Sequence, residues 1–315
     1  AVYVDEPLEQ PGRRDELVEL LEEAALGVGD RQAASVVGLR RAPARSGAGR
    51  EPLGGRRGRG AGFGGVGAAP GGARALLVAT ATRRRDVARL GAGIGLPASV
   101  IQRAAQCGKF TISLVGSAKH AVAAKTAGVD LIVAQGADAG GHTGPIGTYS
   151  LVPQVVEAAG DVPVLAAGGV GHGRHIAAAF GLGAQGVWLG TAWLTSREHA
   201  FNEILLRQVL ATRGEDTVIS KSHSGKSARL IRSAWTDEWE APSAPKPLPM
   251  PYQQVLTGEL LAAVEEHGIE ALSYTGAGQG VGWFNELKTV DEIVERLVSE
   301  TQGALDQMNA RLSGN

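Results

Sequence analysis

The chain has 315 residues, a formal net charge of −1, 43% apolar residues and one cysteine, Cys107. The length suits one large α/β barrel or two ordinary domains, and the balanced charge gives no general attraction to nucleic acid or a membrane surface. A single cysteine excludes an intramolecular disulfide and a cysteine-only zinc site and fits a reducing, cytoplasmic setting, and no run reaches the roughly 18 apolar residues of a membrane span.

The N-terminus lacks both an initiator Met and the residue order of a signal peptide, which implies a processed or incomplete start. Residues 13–26, "RRDELVELLEEAAL", carry Leu17, Leu20, Leu21 and Ala24 at helical spacing. Residues 39–75 are nearly all Arg, Gly, Ala and Pro, a composition that cannot bury enough apolar surface to order itself. An out-of-frame reading of a GC-rich gene across 32–90 gives the same composition.

From about residue 93 the pattern becomes regular. "PASVIQRAAQCG" (97–108) predicts a helix ended by glycine, "KFTISLVGS" a strand, "AKHAVAAKTAG" a helix and "VDLIVAQG" a strand. The loop "ADAGGHTGPIG" (137–147) follows. Then come helix 148–160, strand 161–169, helix 172–184, strand 185–191 and a long helix over 196–212. Strict alternation with short connections predicts parallel strands with crossover helices. "TISLV", "DLIVA", "VPVLAA" and "GVWLG" are apolar on both faces, as strands between a core and a helical layer must be. No GxGxxG follows a first strand, which disfavours a Rossmann fold and leaves a TIM (β/α)8-type barrel.

Three loops at strand C-termini carry the chemistry. Gly168 and Gly169 in "AAGGVG" let backbone N–H groups approach a ligand, and the helix behind them points its positive end the same way. Gly190 and Thr191 in "LGTAWL" add backbone N–H groups and a hydroxyl. Two such consecutive βα loops predict a phosphate site. In "AQGADAGGHTG", Gln135 can reach the polar edge of a bound cofactor, and Gly140 leaves room for a flat ligand. His142 is the group of that loop that titrates near neutrality, suited to act as a base or to bind an anion. His172 and His175 have no carboxylate or cysteine nearby to complete a metal site, so no metal is expected.

"AQGADAGGHTG", "VPVLAAGGVGHGRHIAAAFGLGAQGVWLGTAWL" and "SGKSARLIRSAWTDEWE" together resemble the nitronate monooxygenases. The resemblance covers roughly 93–315. It implies an FMN-dependent TIM barrel that oxidises alkyl nitronates with O2 to carbonyl compounds and nitrite, with small molecules and not nucleic acid or membrane as partners. It implies His142 as the catalytic residue, flavin contacts at Gln135 and Gly140, and phosphate contacts at Gly168, Gly169, Gly190 and Thr191. The family's "APM"-like segment in its first strands has no counterpart here, so residues 1–92 are expected to be an aberrant or incomplete N-terminal barrel segment, and 93–315 the C-terminal part of the FMN-binding barrel. An FMN-dependent enoyl reductase and a non-catalytic remnant unable to hold flavin are the alternatives. "GAGQGVGWF" (276–284) is either a flap over the site or a plain helix start, and the resemblance implies that Lys226 and Arg229 lie near the active-site mouth and help attract an anionic nitronate without being catalytic.

Overall fold

The computed structural model describes residues 2–4, 37–39, 89–92, 98–200 and 202–314. The helix expected over 13–26 and nearly all of the Arg/Gly-rich tract lie outside these residues. The strands are β1 (Val2–Val4), β2 (Val37–Leu39), β3 (Arg89–Ala92), β4 (Phe110–Val115), β5 (Leu131–Gln135), β6 (Gly141–His142), β7 (Val164–Ala167), β8 (Gly186–Trp188), β9 (Thr217–Ser220) and β10 (Ala228–Ile231). The helices are α1 (Ala98–Gln106), α2 (Ala118–Ala127), α3 (Thr148–Ala159), α4 (Gly173–Gly181), α5 (Glu203–Ala211), α6 (Ala234–Glu240), α7 (Tyr252–Glu266) and α8 (Val290–Leu312).

The main sheet runs β2-β1-β8-β7-β5-β4-β3. From β3 to β8 its strands are parallel and follow chain order, each joined to the next through a helix. This is the (β/α) barrel wall that the alternation predicts. β1 departs from it: it pairs antiparallel with β8 at Tyr3 and Gly186, and β2 lies parallel to β1.

Both faces of the wall are buried, which is why its strands are uninterrupted apolar runs. On the outer face Ile132 and Ala134 of β5, Val164 and Ala166 of β7 and Val187 of β8 pack against Leu151, Val152 and Val155 of α3, Ile176 of α4, and Ile293 and Leu297 of α8. On the inner face Leu131 and Val133 meet Ile112, Leu165 and Ala167. Odd and even positions of one strand thus enter different cores, and a slip of one residue would exchange them.

Two elements differ from expectation. The helix over 196–212 begins only at Glu203, because Asn202 caps it by accepting the Leu205 amide at 2.9 Å. After it comes a second sheet that the alternation does not announce. β9 and β10 form an antiparallel hairpin, and β10 also pairs with β6, placing Ala228 opposite His142 and Arg229 opposite Gly141. This second sheet clamps the loop after β5.

Candidate active site at the strand C-termini

A cavity of about 830 Å³ opens where β5, β7 and β8 end. Gln135, Gly140, Gly168, Gly169, Gly190 and Thr191 all line it, so three loops separated in sequence converge on one space. That volume lies within the range of sites for drug-sized ligands.

The glycines are there for backbone geometry. Gly168 (φ 108°) and Gly169 (φ 70°) hold left-handed conformations that side chains resist. At Gly140 a Cβ would sit 2.7 Å from the backbone of Ala277. The stretch 276–284 is therefore a flap in direct backbone contact with the site. The Gln279 amide donates to the Asp138 carbonyl at 2.9 Å, the Gly278 amide donates to the Thr191 hydroxyl at 2.9 Å, and Gly276, Gly278 and Gly280 line the cavity. At Gly190, by contrast, a Cβ would meet no protein atom within 4 Å.

Asp138 holds the loop after β5 in shape. Its carboxylate accepts the Thr148 amide at 2.6 Å at the start of α3. Arg229 braces the same loop: its Nε donates to the Ala137 carbonyl at 2.9 Å and its Nη1 to the Thr217 hydroxyl at 2.9 Å. With the side chain buried, Arg229 is a strut and not the exposed anion attractor that the sequence suggests.

His142 stands beside the cavity. It is not one of the lining residues, but its neighbour Gly141 is. The Gln135 side-chain amide donates to the His142 carbonyl at 2.7 Å, tying the end of β5 to β6. The ring Nε2 lies 2.6 Å from the Ser224 hydroxyl. Burial, then the nearby His223 and Lys226, hold the imidazole below its ordinary pKa, so it is neutral at pH 7. His223 is itself half-buried, with Nδ1 3.0 Å from the Tyr274 hydroxyl. Its sequence gave no hint of this, because the partners are brought in by the β9–β10 hairpin. Ser224 was hidden for the same reason.

The positive end of α4 does not face an open site. The Gly173 amide donates to the Glu300 carboxylate of α8 at 2.9 Å, and the Arg174 amide donates to His172 Nδ1 at 3.1 Å. The chain's own acceptors fill that helix end, which leaves the loop backbone and Thr191 as the donors for an anion. His172 and His175 pack edge-on around Trp283 of the flap. Among the described residues no helix is long and apolar enough to cross a membrane.

Comparison with known proteins shows what the chain resembles. The nitronate monooxygenase family profile matches residues 74–300, starting earlier than the quoted motifs and inside the tract of odd composition. A Mycobacterium tuberculosis protein described as a monooxygenase is 41% identical over 230 residues, which are 71% of this chain and 61% of that protein. A Staphylococcus aureus protein described as a nitronate monooxygenase is 37% identical over 59% of this chain and 55% of its own length. The chain therefore spans less than two thirds of the length of these relatives. Among solved structures, nitroalkane oxidase from Streptomyces ansochromogenes is 30% identical with a TM-score of 0.64, over 75% of this chain and 68% of that one. FabK from Thermotoga maritima is 31% identical with a TM-score of 0.65, over 75% and 74%. With the family profile covering most of the chain, the chain belongs to the nitronate monooxygenase family.

Proposed function

We propose that this chain is an FMN-dependent oxidoreductase that uses O2 to convert alkyl nitronates into carbonyl compounds and nitrite. The observation that carries the reading is the convergence of Gln135, Gly140, Gly168, Gly169, Gly190 and Thr191 on one cavity, with a neutral His142 beside it. The residues fit a flat, phosphate-bearing ligand. Gly190 has open space where a Cβ would point, Gly140 is stripped to backbone, and the Thr191 hydroxyl, which accepts from Gly278, keeps its own hydrogen to donate. Bound there, a flavin would supply the electron carrier between nitronate and O2. The chain's residues do the rest: the glycine loops hold the phosphate, Gln135 meets the ring edge, and His142 binds the anionic nitronate or takes a proton from the carbon acid.

The likeness to FabK supports a second reading, an FMN-dependent enoyl reductase. The visible spectrum of the purified chain, followed by two assays, decides among them. Flavin absorption with nitrite release from an alkyl nitronate supports the first reading. Flavin absorption with rapid bleaching by a reduced nicotinamide nucleotide and no nitrite supports the second. A protein that stays colourless after incubation with FMN is a remnant and overturns both.

A further inference from the structure

We propose that Ser224 is a positioning residue that fixes the tautomer of His142, keeping the ring proton on Nδ1 and the Nε2 lone pair covered. The inference deepens the proposed function, since it rests on His142 serving that site.

The direction of the Ser224–His142 hydrogen bond follows from counting partners. Ser224 is 1% exposed, so water cannot satisfy its hydroxyl. Among the described residues its Oγ has two partners: His142 Nε2 at 2.6 Å and the Lys226 amide at 3.4 Å. The Lys226 amide can only donate. The Ser224 hydrogen therefore has one acceptor within reach, the Nε2 lone pair; turned elsewhere it would be buried and unpaired. With Nε2 accepting, a neutral imidazole must carry its hydrogen on Nδ1.

The surroundings keep the ring neutral and in place. His223 and Lys226 face it from the loop between β9 and β10, and Arg229 of β10 lies across from Gly141. His223 Nδ1 lies 3.0 Å from the Tyr274 hydroxyl, and burial keeps that phenol protonated, so the two share one hydrogen bond. The two rings are 6.4 Å apart, and each has a hydroxyl against one ring nitrogen. Chemically, His142 then offers a substrate an N–H donor and not a free lone pair. That suits binding a preformed anion better than abstracting a proton from a neutral carbon acid.

Nitrogen-15 NMR of histidine-labelled, full-length protein tests this directly, with no need for turnover. The expected spectrum at pH 7.5 has His142 with a pyrrole-type Nδ1 and a pyridine-type Nε2. Ser224→Ala should shift the ring toward the other tautomer and raise the pH at which it titrates, because a hydrogen bond favouring the neutral form is gone. Ser224→Thr should restore both. In the nitronate assay kcat/KM should fall about tenfold in Ser224→Ala and recover in Ser224→Thr. A pyrrole-type Nε2 in the unmodified protein, or an unchanged tautomer in Ser224→Ala, overturns the proposal. The catalytic role of His142 fails separately: full activity in His142→Asn would remove it while leaving the NMR result standing.

Discussion

The amide of Gly278 donates to the hydroxyl of Thr191 across 87 residues of chain, at 2.9 Å. The bond joins the flap to the loop after β8. Thr191→Val keeps the shape but leaves a buried N–H without a partner, at about 1–3 kcal/mol. The urea midpoint and the affinity for FMN should both fall, and Thr191→Ser should recover both. Equal midpoints for the Val and Ser variants would show that the bond does not hold the flap.

Gly140 and Gly190 separate two reasons for a bare backbone. Gly140→Ala puts a Cβ against the Ala277 backbone, so the flap must move, and overpacking of this kind costs about 1–3 kcal/mol. Gly190→Ala finds no protein atom to strike, so thermal stability should stay within about 0.5 kcal/mol while FMN binding weakens. Paired melting curves and flavin titrations check this. If Gly190→Ala binds FMN as tightly as the parent, the ligand does not occupy the space beside it.

His142→Asn should lower nitronate turnover by about 10²-fold with flavin absorption retained. His142 is not among the residues that line the cavity, so loss of colour is not expected. Turnover at parental level would take His142 out of the reaction.

The sequence discloses the barrel wall because β4, β5, β7 and β8 are buried on both faces and alternate with helices, a local pattern. It discloses the glycine loops because they lie at strand ends. Three features are written in no local pattern. Glu300 reaches Gly173 across 127 residues, and nothing near residue 173 announces that its helix end is filled. "TVIS" and "ARLI" are four-residue strands too short to show a period. Ser224 becomes a partner of His142 only once that hairpin folds over, 82 residues downstream.

Stability should drop on mild acidification. His142, His175, His199 and His223 all titrate below their ordinary value, with burial the largest cause in each. In the unfolded chain they take up protons near pH 6.5; in the folded chain they do so only at lower pH. Between those values the unfolded state binds more protons, so stability is complete above about pH 7 and declines as pH falls through 6.5 and below. Urea midpoints at pH 7.5 and 5.5 measure it. A midpoint that does not fall would show that these rings charge freely in the folded protein.

The contacts of Gly276–Gly280 with residues 138–140 and 169 carry a consequence for synthesis on the ribosome. The wall strands leave the ribosome first and can pair as they appear. The pocket cannot: its last side, from Gly276, is translated 88 residues after β8 ends at Trp188, and Glu300, which closes α4, later still. A nascent chain halted before residue 276 would have a sheet but nowhere to hold a ligand. Loading must therefore wait until Gly276–Gly280 have been made, and a chain halted before them would lack one side of the pocket together with the core residues Ile293 and Leu297 of α8.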